Sequence, residues 1–256
     1  MEAVLLTALG VGGATVIGAL LGLFFKNPSH KLNDIILSFA AGVMLAAAVM
    51  GLIIPSLEHG EGGKWSLLVT IAGIFCGAVC LNLIDKLVPH LHKLTGVGVN
   101  EEIHPDSSAR LNKVLLFVIA IAIHNLPEGI AAGVSFGSGD ISQAITVAGG
   151  IALQNIPEGM VIIGPMLAAG VKPKRTFLIA MATGLVEVVG TLIGYLAVSV
   201  ASFILPFALA FAGGTMLYVI SDEMIPETHA HGNERESTYS LLVGFCVMLV
   251  FDVLLG

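Results

Sequence analysis

Charge is scarce in this chain. Only 11% of its 256 residues are Asp, Glu, Lys or Arg, against 56% hydrophobic residues, and its mean hydropathy of +0.95 excludes a soluble globular domain. Eleven Lys and Arg against eighteen Asp and Glu leave a net charge of -7 with no basic patch, which excludes nucleic acid as a partner. The three cysteines, Cys76, Cys80 and Cys246, form neither a CxxC nor an even framework, which excludes a disulfide scaffold. They read as small hydrophobes, with Cys76 and Cys80, four apart on one helix face, leaving a soft-metal pair open. HExxH is absent, and no motif pairs a serine or cysteine nucleophile with a histidine. The chain therefore reads as no enzyme, with an intramembrane metal-dependent hydrolase as the remote alternative.

What is present is hydrocarbon in long runs. A helix needs about 20 apolar residues to cross the roughly 30 Å hydrocarbon layer, and eight runs qualify, at about 3–25, 35–57, 66–88, 113–136, 141–168, 174–200, 203–225 and 239–256. None shows the alternating pattern of about ten residues expected of a membrane barrel. The expected fold class is thus an all-α integral membrane protein of eight transmembrane helices, one domain over residues 1–256, with the lipid bilayer as its surroundings. The first span follows Glu2 with no basic region before it, so it should remain in the mature protein.

Ten of the eleven basic residues fall on one side of these spans: Lys26 and Lys31; Lys86, Lys93, Arg110 and Lys113; Lys172, Lys174 and Arg175; and Arg235. Only Lys64 lies opposite. The positive-inside rule makes the first side cytoplasmic and puts both termini outside, in the plasma (inner) membrane. The loop 89–112, with His90, His92 and His104 among acidic residues, then faces the cytoplasm as a solvated polar segment or a weak metal-collecting one.

Two sequence repeats cross this pattern. FAAGVML (39–45) returns as FAGGTML (211–217), each followed by Ile-Pro (Ile54-Pro55, Ile225-Pro226), with the register slipping by one residue between the two anchors. ATVIGALLG (14–22) resembles GTLIGYLAV (190–198), and SLLV recurs at 66 and 240. Spans one to three echo six to eight, and copies five spans apart run in opposite directions, as in transporters built from inverted repeats with a binding site at their interface.

The other repeat carries polar chemistry. IAIHNLPEGIAAG (121–133) returns as IALQNIPEGMVIIG (151–164). An ionised carboxylate at the centre of a span costs about 2.5–3.5 kcal/mol even on lenient scales, so such residues mark a pathway. Here there are three, Glu128, Glu158 and Glu187, with no Lys or Arg near the middle of any span. Protonation or a bound cation must neutralise them. At about 100° per residue, Glu128 projects between His124 and Asn125, so a carboxylate can share one ligand set with His124 and another with Asn125. Gln154, Asn155 and Glu158 repeat this on an antiparallel span, suggesting one or two adjacent metal sites. Gly129 and Gly159 leave room for close helix approach, while Pro127 and Pro157 cannot donate to the carbonyls of Ile123 and Leu153. One imidazole among amides and carboxylates, without thiolate, suits Zn, Cd, Fe, Mn or Co better than Cu(I).

HNLPEG with QNIPEG resembles the ZIP (Zrt/Irt-like) family of divalent-metal transporters, and the glutamine opening the second motif resembles its GufA-like branch. The resemblance covers essentially the whole chain and implies a 3+2+3 inverted repeat. It implies a first metal site of His124, Glu128, Gln154 and Glu158 and a second of Asn125, Glu128, Asn155, Glu158 and Glu187, with Asn155 standing where some relatives carry aspartate. It implies zinc transport toward the cytoplasm, by an elevator motion of spans one, four, five and six against two, three, seven and eight. The glycines of GVGG (10–13) are compatible with a sliding contact in that motion. The metal is then cargo, and no cofactor is expected. In SDEMIPETHAH, residues Asp222, Glu223, Glu227, His229 and His231 are either a release path for the ion or a solvated helix end. A metal sensor that binds without transporting reads identically, and a homodimer is left open.

Overall fold

In hydrocarbon every backbone N–H and C=O must be satisfied within its own segment, and the apolar runs of this chain satisfy them as helices. The computed structural model describes residues 2–24, 29–58, 63–87, 107–168 and 170–255. Its helices are α1 (Glu2–Phe24), α2 (His30–Ala46), α3 (Ile54–Glu58), α4 (Gly63–Leu87), α5 (Ser107–Ser135), α6 (Ile141–Ala168), α7 (Pro173–Val200), α8 (Leu205–Val219), α9 (Ile225–Thr228) and α10 (Glu234–Leu255). The 23 residues of α1 rise about 35 Å, enough to cross the hydrocarbon layer.

Two of these helices are interrupted without being broken. α2 passes into α3 through a π-helical stretch, Ala47–Ile53, and α8 passes into α9 through another, Ile220–Met224. Counting each as one continuous segment, seven segments among the described residues are long and apolar enough to cross a membrane: α1, α2–α3, α4, α6, α7, α8–α9 and α10. α5 is not one of those seven; it is 29 residues long and carries the first polar motif. It begins at Ser107, inside the segment read from the sequence as loop 89–112. The rest of that loop, with His90, His92 and His104, lies outside the described residues.

The helices pack as two groups, and glycine marks the division. α1 packs on α6 and α7, and α5 on α7; separately, α2 packs on α10 and α4 on α8. Within the groups, helices approach until glycine meets backbone. A methyl group added at Gly12 would collide with the carbonyl of Gly184, at Gly18 with that of Ile156, and at Gly133 with that of Thr191; in the second group Gly42 meets the Leu241 carbonyl and Gly77 that of Phe211. Across the division, where α6 meets the π-helical stretch and α10, Gly51 faces the side chain of Val147 and Gly150 the thioether of Met248. Backbone-to-backbone contact leaves no slack, whereas side chains can repack.

This arrangement corrects the reading of GVGG as a sliding contact. Gly12 packs α1 against the backbone of α7, while a methyl group added at Gly10 or Gly13 would meet open space among the described residues. Between the groups lies an apolar seam of side chains that includes Ala46, Ala47, Val147, Ile151 and Met248. Cys76 and Cys80 lie on the outer side of α4, exposed and partly exposed.

The second group is closed at one end by a polar clasp. Asp34, only 3% exposed, accepts a hydrogen bond from Asn233 Nδ2 at 2.8 Å and lies 3.0 Å from His231 Nδ1, while Ser240 Oγ donates to the Ile35 carbonyl at 2.6 Å. These bonds tie the start of α2 to the start of α10. Asp34→Ala is expected to lower the stability of the detergent-solubilised protein by about 1–3 kcal/mol, read as a lower thermal midpoint. Lys31→Ala, which removes the exposed Lys31–Glu236 pair, should barely move it.

Candidate metal centre

The repeated motif puts its polar residues on α5 and α6, each with its proline inside the helix. Gly129 meets the backbone of Glu187 on α7, and Gly159 that of Thr15 on α1. The glycine after each motif glutamate thus brings the four helices of the first group together around the same point.

That point is the carboxylate of Glu187, fully buried. Its Oε1 accepts from Thr15 Oγ1 at 2.7 Å and from Asn125 Nδ2 at 2.6 Å, and its Oε2 accepts from Asn155 Nδ2. Asn155 Nδ2 also lies 3.2 Å from the Val11 carbonyl. One side chain of α7 therefore gathers a donor from each of α1, α5 and α6. The residues implied for a second metal site, Asn125, Asn155 and Glu187, meet directly.

A second cluster adjoins it. Gln154 Nε2 donates to Glu128 Oε2 and to Asn155 Oδ1, both at 2.6 Å. Glu128 is 1% exposed and stands within coulombic reach of Glu158 and Glu187. Glu158, the most accessible of the three motif-region carboxylates, faces His124 and Glu223, and His124 Nε2 lies 3.0 Å from Glu223 Oε1. His124, Glu128, Gln154 and Glu158 thus share one neighbourhood, with the imidazole turned toward a carboxylate of the second group.

The acceptors outnumber the donors. Asn125 Oδ1, Glu128 Oε1 and Gln154 Oε1 are buried and have no hydrogen-bond partner among the described residues, although unsatisfied buried polar atoms are rare and costly. They belong to residues already joined by the bonds above, and every one is an oxygen that can only accept. Such a set fits a cation: oxygen donors with one imidazole suit a divalent transition metal. No three His, Cys, Asp or Glu among the described residues form a ready metal cage, because amides are interleaved with the acids here.

The residues read from the sequence as a release path separate in the structure. Glu223 reaches His124, whereas Asp222, its neighbour on the π-helical stretch, is exposed. His229 is held by the Ile225 carbonyl at 2.8 Å and by Thr238 Oγ1 at 3.2 Å. His231 is held by Asp34 and stacks on His30, ring centroids 5.0 Å apart. Glu227 is partly buried on α9.

Two participants escaped the sequence reading. Thr15 was legible only as a hydroxyl recurring at Thr191 in the ATVIGALLG/GTLIGYLAV repeat, and the Val11 carbonyl had no signal at all.

Comparison with known proteins agrees with this chemistry. Residues 99–252 match the model of the ZIP zinc transporter family. The chain is 42% identical over 260 residues to zinc transporter GufA of Myxococcus xanthus, covering 100% of both chains. It is 39% identical to zinc transporter ZIPB of Bordetella bronchiseptica, covering 95% of this chain and 78% of that protein, and 30% identical to zinc transporter ZIP11 of Homo sapiens, covering 95% and 94%. The chain belongs to the ZIP zinc transporter family.

Proposed function

We propose that this multi-pass membrane protein carries divalent transition-metal ions, zinc foremost, toward the cytoplasm through a one- or two-metal site between α5, α6 and α7. The observation that carries the reading is the set of buried oxygens without donors among the described residues, Asn125 Oδ1, Glu128 Oε1 and Gln154 Oε1, beside three carboxylates in spans whose middles carry no Lys or Arg in the sequence. Relatives named zinc transporters at 39–42% identity support zinc as the principal cargo. Inward direction is carried over from the family resemblance; the basic residues gathered on the side to which Glu223 and the α9 end belong support the orientation of the chain alone. His124, Glu128, Gln154 and Glu158 would hold one ion, and Asn125, Asn155 and Glu187, sharing Glu128 and Glu158, a second. Glu187 accepts two hydrogen bonds on Oε1 and one on Oε2, which leaves an Oε2 lone pair for ligation.

The test is flux. Purified protein in liposomes should move zinc into vesicles, read by an entrapped zinc-sensitive dye, in a panel with Cd, Mn, Fe, Co and Ni and with or without a pH gradient. Zinc binding without flux would refute transport. The same panel tests the asymmetry of the two motifs: Gln154→His adds a second imidazole and should shift the ranking toward metals that prefer nitrogen ligands. An unchanged ranking would remove Gln154 from the ligand set.

A further inference from the structure

The two π-helical stretches occupy matching places in the inverted repeat, each immediately before Ile-Pro. In both, the isoleucine N–H reaches back five residues, from Ile54 to the Val49 carbonyl and from Ile225 to that of Ile220. The proline that follows has no N–H for the carbonyl four residues before it, that of Gly51 in one copy and of Asp222 in the other; Pro127 and Pro157 leave α5 and α6 in α register, whereas both Ile-Pro steps follow a π-helical stretch. The stretches are seven and five residues long, and the offset between copies falls from 172 at Phe39/Phe211 to 171 at Ile54/Ile225. The one-residue slip is thus located in the π-helical turns.

A π-helical turn holds one residue more than an α-helical one, and one residue is about 100° of rotation. At Ile220–Met224 this rotation has a visible result. Met224 is buried in the apolar core, and Glu223 beside it reaches across the seam between the groups to His124. One residue's change of register would turn Glu223 by about 100° from this position. The other copy carries no acid: counted from Ile-Pro, the counterpart of Glu223 is Leu52, fully buried.

We propose that Pro226, which has no place in the ligand set, is a positioning residue for ion transfer. By preventing the α register at Ile220–Met224 it keeps the Glu223 carboxylate on His124. This rests on the reading of His124 as part of the ion's route, so the test separates contact from transport. In metal-free protein with 15N-labelled histidine, the His124 Nε2 resonance at constant pH should move in Pro226→Ala in the same direction as in Glu223→Gln. It should stay in place in Pro55→Ala, which alters the copy without an acid. Pro226→Ser serves where the alanine variant does not fold. In zinc flux, Pro226→Ala and Glu223→Gln should each lose about tenfold, and the double variant no more than either. An unmoved His124 resonance in a folded Pro226 variant, or losses that multiply in the double variant, overturns the proposal. Unchanged flux in Glu223→Gln with the resonance moved counts against the ion route and leaves the positioning intact.

Discussion

Liposomes carrying Glu128→Ala, and separately Glu158→Ala, are expected to show zinc flux no higher than protein-free vesicles while the variant proteins remain folded. The two halves of that expectation have different causes. Loss of flux follows from charge: a divalent ion deep in a span can be held only where negative charge replaces its hydration, and in the proposed site Glu128 and Glu158 are the carboxylates that both ligand sets share. Retention of the fold follows from the bonds left behind. Gln154, the donor to Glu128, keeps Asn155 Oδ1 as acceptor at 2.6 Å, and the Glu187 network does not involve Glu128. Removing one of several neighbouring acids also relieves like-charge repulsion, so the metal-free thermal midpoint should hold or rise. The two proteins part company on adding zinc. An ion at a hundred times its dissociation constant stabilises the wild type by about 2.7 kcal/mol, and the variants should gain almost nothing. Wild-type flux in either variant would remove that carboxylate from the site.

How much of this was legible in the sequence depends on the range of the contact. Low charge and apolar runs of membrane length announce the helices, since no other open structure satisfies its backbone in hydrocarbon. The spacing of His124, Asn125 and Glu128 and its copy at Gln154, Asn155 and Glu158 places those side chains on defined helix faces, because helical angles are local. The pairing of His124 with Glu223 was not readable: the residues stand on different groups, and the turn that aims Glu223 shows in the sequence only as a one-residue slip. Glu187 was visible as a buried acid, but only the family resemblance set Asn125 and Asn155 beside it and nothing set Thr15 there, because no local rule relates α7 to α1, α5 and α6. The glycines were visible too, yet composition does not say whether a glycine meets a backbone or open space, and GVGG was misread for that reason.

Glu187→Ala is expected to cost more stability than any other single change at the site. Its carboxylate is the common acceptor for Thr15, Asn125 and Asn155, and truncation strips them together. Asn155 keeps the Val11 carbonyl at 3.2 Å, but Asn125 Nδ2 and the Thr15 hydroxyl lose the acceptor they have here, at about 1–3 kcal/mol for each donor left unsatisfied. Hydrogen bonds between membrane helices average only about 0.6 kcal/mol, because the separated helices find other partners; the Glu187 hub exceeds that average because one truncation removes bonds to three helices together. A loss of several kcal/mol is a large share of the roughly 5–15 kcal/mol that holds a domain together. Glu187→Gln keeps one acceptor oxygen and should fall between, since its new NH2 confronts donors. The metal-free thermal midpoint in detergent should therefore order as wild type and Glu128→Ala highest, Glu187→Gln lower and Glu187→Ala lowest. Because all four linked helices belong to one group, the loss should loosen α1 and α6 from α7 before it disturbs α2 and α10. Hydrogen exchange would show this as early opening of α1, and equal midpoints for Glu187→Ala and Glu128→Ala would show that Glu187 serves the ion alone.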